Sequence, residues 1–141
     1  MNNNIYLFLS FICISLVNII STTHFFPIML IGINFVIFSH LLYKEEYYKI
    51  TFPILTFLVF EINFGIPYFS TALLSFVFLR LLLPYLKTTF TFSSSNYYIQ
   101  NMLFYFLFTL CVSIFLGMSF DTLTIIILNL LLDSLVIWMV L

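Results

Sequence analysis

The sequence predicts an all-α membrane protein, a bundle of about six closely spaced transmembrane helices with no soluble domain. Three observations predict it. Hydrophobic residues make up 64% of the chain and charged residues 6%. A soluble domain carries about 25% charged residues, so four basic and five acidic side chains cannot coat a water-facing surface. The apolar residues also fall into runs close to the roughly 20 residues that cross a hydrocarbon core. Those runs do not alternate polar with apolar, as the roughly 10-residue strands of a membrane barrel do.

The first run covers residues 5–21. Asn2, Asn3 and Asn4 supply no basic signal-peptide start, and no small-residue cleavage site follows, so this segment is read as a retained helix. A polar turn at Ser21, Thr22, Thr23 and His24 separates it from a second run, 26–43, with Pro27 suited to its first turn. Lys44, Glu45, Glu46 and Lys49 form a charged loop that belongs in water or among headgroups. The third run, 50–64, is short for a full span. It is broken at Gly65-Ile66-Pro67, because glycine and proline together end a helix.

The fourth run covers 68–86, with Arg80 and Pro84 near its end. Residues 87–98 form the longest loop, rich in Ser and Thr. The fifth run covers 99–120, and the sixth covers 122–141, with Asp121 placed as its N-cap. The whole chain is read as one transmembrane domain. Lys44, Lys49 and Lys87 fall in the loops after runs two and four. With six spans, those loops share a side with both termini, and the positive-inside rule makes that side cytoplasmic.

Polar groups inside the spans hold what functional information there is. Glu61 lies eleven positions into the third run, roughly 16 Å along a helix. Asp133 lies about as far into the sixth, so both fall near mid-bilayer and are placed to approach each other. A charge there costs about 2.5–3.5 kcal/mol, so such residues face the bundle interior. Each is read either as neutral or bonded to a neighbouring helix, or as a partner site. Glu61 has a further reading, as the group that holds the broken backbone after it. Arg80 is expected to reach the headgroups by snorkelling. Asn18, Asn34, Asn63 and Asn129 are candidates for bonds between helices.

No catalytic set, phosphate-cradling loop or metal cluster is legible, so the chain is read as non-enzymatic, without cofactor or metal. Cys13 and Cys111 lie in apolar runs as small hydrophobes. A net charge of -1 provides no basic stripe for nucleic acid.

From about residue 28 onward the pattern resembles the MreD family of bacterial rod-shape-determining membrane proteins. The resemblance is carried by the third-helix stretch Phe60-Glu61-Ile62-Asn63-Phe64-Gly65-Ile66-Pro67. It continues in Leu79-Arg80-Leu81-Leu82-Leu83-Pro84-Tyr85-Leu86-Lys87 at the end of the fourth. It implies a scaffold in the inner membrane that serves cell shape and peptidoglycan elongation. The implied partners are an MreC-like bitopic protein, the actin-like MreB, the glycosyltransferase RodA and a class B penicillin-binding protein. Glu61, Gly65, Pro67 and Arg80 in these stretches, together with Asp133 from the sixth run, are the candidate intramembrane polar or partner site. Two other readings are a substrate-binding subunit of a vitamin-type transporter and a small accessory subunit of a larger respiratory complex.

Overall fold

A computed structural model describes residues 3–21, 27–89, 97–117 and 119–140. His24 and the centre of the loop expected between runs four and five lie outside the described residues. All regular structure among the described residues is helical: α1 (Asn3–Ser21), α2 (Ile31–Tyr43), a 3-10 turn (Tyr47–Ile50), α3 (Thr51–Phe64), α4 (Ser70–Val77), a π-helical turn (Phe78–Leu82), α5 (Leu83–Thr89), α6 (Tyr97–Phe115) and α7 (Phe120–Val140). The segment α4, the π turn and α5 form one continuous rod, so six rods stand where six runs are expected. Three of them, α1, α6 and α7, are long and apolar enough to cross a membrane.

The rods assemble around α2. It packs on α3, α6 and α7, while α1 packs chiefly on α3. Aromatic rings fill the centre. Phe35 stacks on Phe104 with centroids 4.2 Å apart and meets Phe78 edge-on at 5.6 Å, while Phe60 lies 5.8 Å from Phe108. Offset and edge-on pairs of this kind add to simple burial because the ring edge is positive and the face negative. Outside this core the surface is apolar. Ile114, Phe120 and Trp138 are all more than 70% exposed.

Several element ends differ from the sequence reading. The second helix begins at Ile31 rather than 26, so Pro27 stands ahead of the helix and not in its first turn. The fifth rod stops at Phe115, before Gly117 at φ 73°. The last helix starts at Phe120, which places Asp121 inside its first turn. Its N-cap is Ser119, whose Oγ accepts the Thr122 amide at 3.1 Å.

The fourth rod runs through Pro84 and ends at Thr89, a little beyond the expected 86. Proline there removes one helical N–H and presses its ring toward the carbonyl four residues back, that of Arg80. The chain widens into the π turn, in which the Leu83 amide reaches back to the Phe78 carbonyl. Pro53, by contrast, sits in the first turn of α3, where the missing N–H costs nothing.

Candidate functional site

Two helices start without a cap of their own, α2 beside the buried Met29 and Ile31, and α4 at a turn where Tyr68 and Phe69 are exposed and Thr71 is buried. The residues at the N-cap positions are Leu30 before α2 and Phe69 before α4. Neither side chain has an oxygen to accept the first amides. Both residues adopt the left-handed conformation, φ 48° and φ 63°, which is uncommon for side chains of this size. The unsatisfied amides at each start need an acceptor, and in an apolar interior water does not supply one.

The acceptor for α4 is Glu61. It is fully buried in the last turn of α3. Its carboxylate accepts the Phe69 amide at 2.6 Å, the Thr71 amide at 2.7 Å and the Ser70 hydroxyl at 3.4 Å, and also the Thr71 hydroxyl. Its backbone carbonyl meanwhile closes α3. Gly65 takes φ 67°, and the Ile66 amide returns to the Glu61 carbonyl at 3.0 Å. That is the six-to-one bond of a Schellman ending, which glycine makes accessible. One residue therefore ends α3 with its backbone and starts α4 with its side chain. Pro67 lies in the intervening turn, where its carbonyl accepts the Ser70 amide at 3.2 Å.

The acceptor for α2 comes from α7. Asp133, also fully buried, accepts the Gly32 amide at 2.7 Å and the Tyr105 hydroxyl at 2.5 Å through the same oxygen, Oδ2. One turn earlier on α7, Asn129 Oδ1 accepts the Met29 amide at 2.7 Å. Its Nδ2 donates to the carbonyls of Pro27 at 3.0 Å and Ile125 at 2.9 Å. These bonds explain why α2 starts late. The Pro27 carbonyl and the Met29 amide are spent on α7, and the Ile28 carbonyl accepts the Ser21 hydroxyl of α1 at 3.1 Å, so these groups do not close a helical turn.

Gly32 permits this approach. A Cβ there would lie 2.7 Å from Asp133 Oδ2 and 2.8 Å from the Tyr105 ring, and closer still to Asn101 Oδ1. Asn101 is buried against this glycine, and among the described residues neither polar atom of its amide has a hydrogen-bond partner.

The sequence-expected residues therefore divide. Glu61, Gly65 and Pro67 form one unit, and the reading of Glu61 as the group that holds the broken backbone matches this geometry. Glu61 and Asp133 do not bond each other: their partners are the start of α4 and the start of α2. Arg80 lies on the exposed side of the π turn, near enough to Tyr43 to interact electrostatically. Among the described residues the ion pair is Lys49 with Glu46 at 2.8 Å, and Arg80 is in none.

Asn34 donates to the Pro53 carbonyl at 2.9 Å and joins α2 to α3 as expected, whereas Asn129 bonds the non-helical segment ahead of α2. Among the described residues the Asn18 amide is buried with no partner for either polar atom, and no bond between helices is formed there.

The sequence reading missed Gly32, Asn101, Tyr105 and Thr71. A signal for part of this set was available. Asn101 with Tyr105, and Asn129 with Asp133, are each four residues apart, a spacing that puts both members on one helix face. Among the described residues no group of three or more His, Cys, Asp or Glu is placed to hold a metal ion. What the site does chemically is satisfy backbone: two carboxylates and one amide terminate donors that the broken helices leave open. Comparison with family models, with curated proteins and with solved structures gives no match for this chain.

Proposed function

We propose that the chain is a non-enzymatic scaffold of the bacterial inner membrane, with six spans and both termini cytoplasmic, that organises a wall-elongation complex as MreD-like proteins do. One observation carries the scaffold reading over a transporter. Transporters place the open N-termini of broken helices at mid-membrane, where they receive an anionic substrate. Here the N-termini of α2 and α4 are already filled by the chain's own Asp133 and Glu61, through bonds of 2.6–2.7 Å to backbone amides. A bundle whose broken helix starts are filled in this way offers its outer faces to other molecules. Those faces carry large apolar side chains, Phe106, Ile114, Leu131 and Trp138 among them. Apolar surface of this extent marks contact with lipid or with other membrane helices. The specific partners, an MreC-like bitopic protein and the elongation enzymes, follow from the resemblance at Phe60–Pro67 and Leu79–Lys87.

The test is affinity purification from the native membrane in mild detergent, with mass spectrometry of what is retained. Recovery of a bitopic periplasmic protein together with wall-synthesis enzymes is expected. Recovery of ATPase subunits with a coupling protein, or of respiratory subunits, overturns the assignment in favour of the transporter or accessory-subunit reading.

A further inference from the structure

Among the described residues, no helix covers the flank of α2 formed by Ile33, Val36 and Ile37. The helices beside it, α1 and α7, leave a groove with a volume of about 350 Å³. That lies within the roughly 300–1,000 Å³ typical of small-molecule sites. Its floor is Ile33, Val36 and Ile37 of α2, and its walls are Leu7 of α1 with Val136 and Ile137 of α7. From Ile33 to His40 it follows α2 for roughly 10 Å. Over this length the lining is aliphatic.

The character changes at one end. His40 and Tyr97 close the groove, with the phenol oxygen 3.5 Å from the His40 Nδ1. Beyond them a second hollow of about 190 Å³ shares Leu7, His40 and Leu41 with the first, and adds Tyr6, Lys44 and Glu46. The Glu46 carboxylate is held by Lys49 at 2.8 Å, whereas Lys44 is in no ion pair among the described residues. Glu45 is the other acid of this loop and does not line the hollow. The whole is an aliphatic trough with an aromatic rim and a lysine at its mouth. Tyrosine and lysine at this level suit the headgroup region of a membrane.

We propose that this groove is a binding site for an anionic phospholipid, with one acyl chain along Ile33, Val36 and Ile37 and the phosphate at Lys44, His40 and Tyr97. The amphiphile matches both ends of the groove. A transmembrane helix from a partner would fill the aliphatic part and leave Lys44 and His40 without a complement. The proposal rests on the chain being membrane-embedded, but not on the scaffold assignment.

The experiment reconstitutes the full chain in vesicles of phosphatidylethanolamine and phosphatidylglycerol. The probe is a phosphatidylglycerol with a photoactivatable group in one acyl chain, and a phosphatidylcholine version serves for comparison. Labelled peptides are mapped by mass spectrometry. Labelling concentrated on 33–41 and 136–137, and stronger with the anionic probe, is expected. Ile37→Trp fills the trough and should reduce that labelling to the level of the exposed α6 face around Ile114. Val136→Phe provides a second block should Ile37→Trp fail to fold. Lys44→Ala should reduce the preference for the anionic probe about fivefold, the contribution of one lysine near an anionic surface, while leaving acyl labelling in place.

Even labelling around all apolar faces, unchanged by either blocking variant, overturns the groove while leaving membrane embedding intact. Equal labelling by both probes in the unmodified chain overturns the anionic headgroup assignment. Absence of labelling anywhere overturns the embedding itself.

Discussion

Glu61 accepts from four donors at the start of α4, two of them backbone amides. Each buried donor left without an acceptor costs about 1–3 kcal/mol. Glu61→Leu removes every acceptor and should destabilise the bundle by about 3 kcal/mol or more. Glu61→Gln keeps one oxygen and should cost roughly half as much. Thermal unfolding in detergent micelles separates the two variants, and equal melting temperatures would show that the carboxylate is not holding the helix start. Gly32 is tested in the opposite sense, by addition. The added methyl of Gly32→Ala meets Asp133, Tyr105 and Asn101 at once. The expected loss is about 1–3 kcal/mol, because crowded cores shift only with difficulty. A Gly32→Ala variant as stable as the parent would mean that α7 is free to move away from α2.

At the scale of elements, the turn from α3 to α4 behaves as one device. Gly65 at φ 67° lets the chain reverse, and Glu61 then reaches the amides that the reversal exposes. Nothing crowds a Cβ at Gly65, so Gly65→Ala tests backbone conformation alone. The expected cost is about 1–2 kcal/mol, the penalty for a left-handed alanine. Because both residues serve the same turn, Gly65→Ala and Glu61→Gln combined should cost less than the sum of the two. A double-mutant cycle measured by the same unfolding experiment checks this, and strict additivity would separate the cap from the turn. The π turn at Phe78–Leu82 is a second device, local to Pro84. It lets one rod continue past a proline that would otherwise end it.

At the scale of the whole molecule, α2 and α3 are 13 and 14 residues long. That is roughly 20 Å of helix against a hydrocarbon core near 30 Å. For α2 and α3 to span, as proposed, the remaining depth has to come from backbone beyond their ends, which membranes tolerate where protein groups satisfy it. Asn129, Asp133 and Glu61 satisfy it here. The start of α1, the end of α2, the start of α6 and the end of α7 all line the two joined hollows, so they share one end of the bundle. An up-and-down order of six spans has this consequence. A reporter fused after Tyr98 should therefore report the cytoplasm, and one fused after Gly117 the opposite side. A periplasmic signal after Tyr98 would rule out the arrangement with both termini inside.

The sequence by itself determined the helical class, the order of six rods, the break at Gly65 and Pro67, and the burial of Glu61 and Asp133. These are local properties. Run length, charge scarcity and backbone breakers act on neighbouring residues, and a carboxylate inside an apolar run is driven inward wherever the run packs. Only the tertiary structure decided what the carboxylates bind. Asp133 meets Gly32 across 101 positions, and Asn129 meets Met29 across 100. No periodicity within α7 names a partner so distant, and a glycine in α2 is an ordinary residue until a second helix lies against it. The late start of α2 has the same origin. Its first turn is absent because the Pro27 and Ile28 carbonyls and the Met29 amide are bonded to other helices, and that competition exists only once the helices are packed.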